Sequence, residues 1–287
     1  MQLRFGMAQW QHPAWVAWLY TQQGASNRRL SEYAKFFDTV EVGSSFYADL
    51  TQEQLQSWFD QVPDNFRFAF KLPQSITHRL GVSDEAQVID ALTRFCELLR
   101  PFSAKLGPCM MQFPEEVSPL HVAKIEALCQ AWVLPTPLSV EVRNQAFFNK
   151  AEEEAELLRL LANNRQNRVI MDSRPVFSTP AYCDSLLDAQ KKKPRVPCHP
   201  LATGQNPVVR FIGHPDLPLN DVYLDQWVKK LVQWLQEGRE PYVFVHSSDN
   251  VAAPLLAEAL EQKIAALLPV YVPKLKLPNK PEQSLLL

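Results

Sequence analysis

Apolar side chains recur along this chain with two alternating periods. Short β-rich runs are each followed by a stretch in which apolar residues fall three and four apart. The runs that predict strands are RFGMAQ (4–9), TVEVGSS (39–45), FRFAFKL (66–72), CMMQF (109–113), LSVEVR (138–143), RVIMDS (168–173), PVVRFI (207–212) and PYVFVH (241–246). The helices between them carry their own marks. Leu30, Tyr33, Ala34 and Phe37 form one stripe, and Val88, Leu92, Phe95 and Leu99 another. Thr51 and Gln54 have capping-box form ahead of Leu55, Trp58, Phe59 and Val62. A helix is expected over 119–132, and another from the acidic run 152–154. Asn220 is placed to cap a helix holding Leu224, Trp227, Leu231 and Trp234, with Gly238 past its end. Pro254 opens the last helix, and the helix after the sixth strand is expected near 182–192.

Eight β-then-α units predict an α/β fold of the (β/α)8 TIM-barrel type: one domain over 1–272, then an extended, basic, proline-rich tail over 273–287. The alternative, a doubly wound open sheet, usually shows a glycine-rich first turn when it binds a dinucleotide, whereas the turn after RFGMAQ reads WQHPAW.

The alternation also sorts the strand residues. With apolar residues turned to the helices, Glu41, Lys71, Gln112, Glu141, Arg143, Asp172, Arg210 and His246 face the interior near the C-terminal strand ends. Gln9 or Trp10 serves the first strand. That end is where barrels carry active sites. Three acids against three bases predict a charge network that closes on itself before His246 is counted. Such a network can be purely structural. As a set it points to function, because buried ion pairs stabilise inefficiently compared with apolar packing.

Composition narrows the classes. Of 287 residues, 46% are hydrophobic and 21% charged, as in an ordinary globular protein, and a net charge of −2 gives no general bias toward nucleic acid or membrane. The N-terminus lacks a signal-like apolar core, and no run is apolar enough to span a bilayer. Five scattered cysteines without a C-x-x-C pair fit a reducing cytoplasm. No dinucleotide or Walker loop is present among the eight glycines.

The segments TVEVGSSFYADL, DNFRFAFKLPQSIT, KLGPCMMQFP, VEVRNQAFF and PYVFVHSSDN with Ala253–Pro254 resemble the domain-of-unknown-function family 72, the YecE-like family. The resemblance covers most of 1–272 and implies a TIM barrel without a settled activity. Two departures stand out. The family's Glu-Phe-Arg-His-Pro reads here Glu141-Val142-Arg143-Asn144-Gln145, so a role for that histidine does not carry over. Its Glu-x-Asn-Ser-Thr-Phe-Tyr reads Glu41-Val42-Gly43-Ser44-Ser45-Phe46-Tyr47, which loses an amide.

The expected function is that of a cytoplasmic enzyme acting on a small polar, anionic or sugar-like molecule. Glu41 and Glu141 would be acid–base residues, Asp172 would orient a base and His246 would shuttle a proton. Lys71, Arg143 and Arg210 would hold an anion, with Gln112 beside them. Gly213, Ser248, Asp249 and Asn250 follow the last two strands, a frequent phosphate position in this fold; turn and capping chemistry is the simpler reading for the last three. Trp10 and Tyr47 are candidates for stacking on substrate. Residues 174–206 are long for a connection and hold the run Lys191–Lys193 with Arg195, either a solvated loop or a positively charged lid. No cofactor is expected. Glu41, Glu141, Asp172 and His246 are ligand types like those of xylose-isomerase-like and apurinic-endonuclease-like barrels, which keeps a divalent metal as a minor alternative; the interleaved bases weigh against it. Two other functions compete: a nucleic-acid-acting, repair-nuclease-like protein, and a non-catalytic ligand-binding or adaptor protein. The end of the tail, Gln283 to Leu287, is similar to short peptides that dock on the bacterial sliding clamp, although fraying or packing is the simpler reading.

Overall fold

The computed structural model describes residues 2–16, 18–20, 28–81 and 84–278. All eight expected strands are present: β1 (Arg4–Met7), β2 (Thr39–Val42), β3 (Arg67–Phe70), β4 (Cys109–Gln112), β5 (Leu138–Glu141), β6 (Asn167–Asp172), β7 (Val208–Gly213) and β8 (Tyr242–Ser247). The helices are α1 (Arg29–Tyr33), α2 (Gln52–Phe59), α3 (Gln74–Thr77), α4 (Glu85–Leu99), α5 (Val122–Ala131), α6 (Glu152–Asn163), α7 (Asp184–Lys192), α8 (Asp221–Gln236) and α9 (Ala253–Leu267). Local chemistry explains their ends. The Thr51 hydroxyl accepts from the Gln54 amide at 3.2 Å, as the capping pattern predicted. Gly238 takes φ +78° just past α8, a conformation that favours glycine. Asn220 precedes α8 but caps nothing. Its amide instead ties His214 N, His214 O and Asp216 O, bracing the turn after β7.

Six strands form one curled parallel sheet in the order β1-β8-β7-β6-β5-β4, and β2 and β3 form a second parallel pair. Two seams bring the sheets together. At the first, Gly107 N donates to Phe68 O at 2.8 Å and Leu72 N to Met110 O at 2.9 Å. At the second, Tyr33 wedges its hydroxyl between the strands. It accepts from Met7 N and donates to Thr39 O, both at 2.8 Å. No helix among the described residues is long and apolar enough to cross a membrane.

Register fixes what each face carries. Ala69, Met110, Val169, Val208, Tyr242 and Phe244 form a compact cluster of their own on the concave side, while a much larger cluster joins the convex side to the helices. Arg210 pairs with Met171 and Phe244, so it shares that concave face. Asp172 pairs with Phe211 and therefore faces the helices, correcting its expected inward position. Both of its oxygens are engaged there: Arg174 donates to each at 2.8 Å, and Trp227 of α8 donates to Oδ2 at 2.8 Å. The neighbouring outward Arg168 is likewise met by Glu154 of α6 at 2.7 Å. With Arg168 and Asp172 accommodated outside and Val169 and Met171 inside, β6 turns its apolar alternates inward, the reverse of the rule that assigns them to the helices.

The segment after β6 does not stay in solvent. Leu186 and Ala189 of α7 pack with Met171, Val176 and Ile212 at the C-terminal strand ends. At the opposite end, the buried Glu261 carboxylate accepts from Tyr271 Oη (2.6 Å) and from the amides of Lys274 (3.1 Å) and Leu275 (2.7 Å). This pins the first residues of the tail. The clamp-like peptide 283–287 lies outside the described residues.

Gly6 tests the seam between β1 and β2. A Cβ there would stand 2.3 Å from Thr39 O, a backbone atom that cannot swing aside. Gly6→Ala is expected to lower unfolding stability by about 2–3 kcal/mol through overpacking, measured by urea titration. A change below about 0.5 kcal/mol would show that the seam is slack.

Candidate active site at the C-terminal strand ends

The interior charges meet above the apolar cluster. Arg210 of β7 reaches across to the two-stranded sheet, donating from Nε to Glu41 Oε2 at 2.9 Å and from Nη2 to Oε1 at 2.8 Å. Its Nη1 donates to Glu141 Oε2 of β5 at 2.5 Å. Glu141 uses Oε1 to accept from Arg143 Nε at 3.1 Å and Nη2 at 3.0 Å. His246 of β8 places Nε2 3.3 Å from Glu41 Oε2. Lys71, just past β3, donates to Gln112 Oε1 at 2.7 Å and lies 4.6 Å from the Phe46 ring centre. Glu41, Lys71, Gln112, Glu141, Arg210 and His246 are all buried, and Arg143 is the half-open member. One guanidinium thus links three strands drawn from both sheets, and seven of the expected site residues form one constellation.

Low dielectric and crowding set the protonation states. Burial pushes the Glu41 carboxyl up, but Arg210, His246 and Lys71 together outweigh it and hold it well below the usual carboxylate range. For Glu141 burial is again outweighed, by Arg210, Arg143 and Lys71, leaving it at about 2. Burial, reinforced by Arg210, draws the Lys71 ammonium down to about 8 despite the two glutamates. Burial also pulls His246 down to about 4, with Glu41 only partly opposing. At neutral pH the imidazole is neutral and its Nε2 proton points to Glu41, leaving Nδ1 as an acceptor.

Lys193, directly after α7, is a member that the strand pattern could not disclose. It is half-buried, and Arg210, Glu41, Glu141 and Arg143 all act on it, the same four charged groups that act on Lys71. Burial first, and Arg210 next, lower its pKa. The only hint in the sequence is the charge run 191–193 in an overlong connection.

Other expected contributors sit elsewhere. The Trp10 ring packs edge-on to Trp58 at 5.0 Å. Tyr47 is 76% exposed and leans on Phe46 rather than on the charges. Gly213 is a packing residue: a Cβ there would stand 2.4 Å from Leu256 of α9. Ser248 meets Ser185 of α7 at 3.2 Å, Asp249 accepts from Val251 N at 3.0 Å, and Asn250 accepts from Ser247 N at 3.3 Å with φ +64°. These three do the turn chemistry that was the simpler reading, and Ser248 also fastens α7 to the β8 turn.

The family model described as protein of unknown function DUF72 matches residues 4–280. The chain belongs to the DUF72 family. UPF0759 protein YecE of Escherichia coli (strain K12) is 36% identical over 264 residues, covering 92% of this chain and 93% of that protein. UPF0759 protein YunF of Bacillus subtilis (strain 168) is 29% identical over 139 residues, 46% of this chain and 48% of that protein. Among solved structures, a DUF72 family protein from Thermotoga maritima superposes with a TM-score of 0.70 at 19% identity, covering 94% of this chain and 100% of that one. One from Enterococcus faecalis gives 0.68 at 19%, with 97% and 99% covered. The likeness shows a shared fold. Gly43 leaves open space, since no atom lies within 4 Å of the position a Cβ would take. Asn144 turns away from the charges, donating to Glu115 O at 2.7 Å and capping the short helix over 145–148.

These protonation states govern acid stability. His246 has a folded pKa of about 4, below its unfolded value of about 6.5. The unfolded chain therefore binds the proton first, and stability declines as pH falls from about 6.5 toward 4. Glu141 is depressed, so its contribution is present above the unfolded carboxylate range and is lost as pH falls toward about 2. Urea midpoints measured across this range should drop in two limbs, with His246→Asn flattening the upper one and Glu141→Gln the lower. Arg210→Met should cost about 3–5 kcal/mol at neutral pH, because it strands two buried carboxylates.

Proposed function

We propose that the two sheets are parts of one (β/α)8 barrel and that the chain is an enzyme acting on a small anionic substrate by acid–base chemistry at its C-terminal mouth. The two seams and the reach of Arg210 from β7 to β2 support the closed ring. One observation carries the substrate class. Lys71 and Lys193 share the charged neighbours Glu41, Glu141, Arg143 and Arg210. Among the described residues, neither ammonium has a carboxylate within ion-pair distance. Four cations thus face two carboxylates, and His246 adds no charge at neutral pH. Turning Asp172 outward removed one anion, and Lys193 added one cation. A surplus of this kind, in a setting with little solvent to screen it, favours an anion.

The division of labour follows from the hydrogen bonds. Glu41 and Glu141, expected as the acid–base pair, are ionised and held by Arg210, so they suit the role of fixed anions. Glu41 orients His246 through Nε2, and Nδ1 takes the proton, giving an imidazolium that the adjacent carboxylate stabilises. Lys71, Lys193 and Arg143 hold the anionic group. Leu186 and Ala189 seat α7 over the mouth, so the segment that delivers Lys193 also shields the bound anion from water.

Calorimetric titration with inorganic phosphate, glycerol 3-phosphate and malonate at low salt tests this reading. At least one should bind, taking up protons at pH 8.5, because an anion beside Lys71 restores its ammonium form. Lys71→Met and Lys193→Met should each weaken binding roughly tenfold or more. Once turnover is found, kcat/KM should be bell-shaped, falling below about 4 with His246 and above about 8 with Lys71. Absence of binding for all three anions, or binding that survives the double substitution, would overturn the proposal.

A further inference from the structure

A separate cleft opens beside the mouth, between the turn after β6 and α8. Its volume is about 530 Å³, and none of its lining residues is acidic. Two guanidinium groups enter it, each parked over an aromatic ring. Arg174 lies 5.2 Å from the Tyr223 ring centre, and Arg195 lies 5.4 Å from that of Phe177.

The two arginines differ in how they are held. Arg174 is rigid: it grips both oxygens of buried Asp172 and donates to Gln226 at 2.8 Å. Its charge is cancelled by Asp172, but its flat face remains available for stacking. Arg195 is exposed, and its guanidinium makes no hydrogen bond or ion pair among the described residues. Its backbone is nevertheless fixed, because its carbonyl accepts from Gln145 Nε2 at 3.1 Å, and Ser173 Oγ donates to the preceding carbonyl of Pro194 at 2.8 Å. An exposed cation with unused donors, on a fixed backbone and beside two aromatic rings, has the parts that recognition of an aromatic anion needs.

We propose that this cleft binds an aromatic phosphate of mononucleotide size. Arg195 supplies the fork for the phosphate, and Phe177, Tyr223 and the Arg174 plane supply stacking surfaces for the ring. An isolated phosphate would occupy only a small part of the space, and a ring without an anion would leave Arg195 unused. The site is distinct from the mouth: the charges of Glu41 and Glu141 act on Lys193, which is not among the residues lining the cleft, whereas Arg195 is.

Titration of the full chain with AMP, adenosine and inorganic phosphate at low salt separates the parts. AMP should bind, adenosine should bind roughly tenfold or more weakly, and phosphate, which the mouth can also take, should displace AMP from the cleft only at roughly tenfold or higher concentration. Arg195→Ala and Phe177→Ala should each lose roughly tenfold or more of the AMP affinity, while Lys193→Met leaves it unchanged. Arg195 is exposed, so its substitution should leave the fold intact, checked by an unchanged thermal transition. The proposal fails if AMP shows no binding with Kd at or below about 1 mM. It also fails if adenosine binds as well as AMP, or if Arg195→Ala leaves affinity intact. Loss of AMP binding in Lys71→Met or Lys193→Met with Arg195→Ala unaffected would assign the nucleotide to the mouth and remove the second site, while leaving the anion-binding mouth in place.

Discussion

The architecture turns on a guanidinium buried between two carboxylates. Arg210 binds Glu41 through two parallel hydrogen bonds and Glu141 through a third, and these partners come from different sheets. Removing such a charge from water is costly, and only near-complete pairing offsets that cost. The geometry of β2, β5 and β7 must therefore be right at the same time for the interior to be tolerable. That requirement specifies how the strand ends approach one another more tightly than apolar packing alone would. It also keeps both glutamates ionised, which in turn keeps His246 oriented and partly offsets the burial and the Arg210 charge that depress Lys71.

The apolar cluster beneath these charges matters as much as the charges. Phe244, Val169, Met110 and their neighbours exclude water from below, while α7 covers the rim from above. Electrostatic effects are large in such a setting because little solvent remains to screen them. The shifts of Lys71, Glu141 and His246 follow from this single arrangement and not from three separate local causes.

Much of this was legible in the chain. The eight strands stood out because each apolar run is short and alternates, and a charged residue interrupts the alternation at the same end of most of them. Glu41, Lys71, Gln112, Glu141, Arg143, Arg210 and His246 were found by parity alone. Asp172 was misplaced because β6 turns Val169 and Met171 inward, while Trp227 and Arg174 supply polar partners on the side expected to be apolar. Lys193 was invisible to parity because it belongs to no strand. Its position depends on how Leu186 and Ala189 seat α7, a tertiary event with no local signature. Gly213 and Asn250 show the converse difficulty. Glycine and asparagine after a strand fit a phosphate loop as well as they fit close packing and a left-handed turn.

The Glu261 clamp has a consequence for how the molecule can be handled. Leu275, which it holds, lines a small cavity with Leu3, Phe5, Asp38 and Asn65, residues at or near the N-terminal ends of β1, β2 and β3. Residues 275–277 therefore lie at the pole remote from Arg210. A tether or fused module attached there would present the charged rim outward, so immobilised protein on a sensor surface would keep its entrance free.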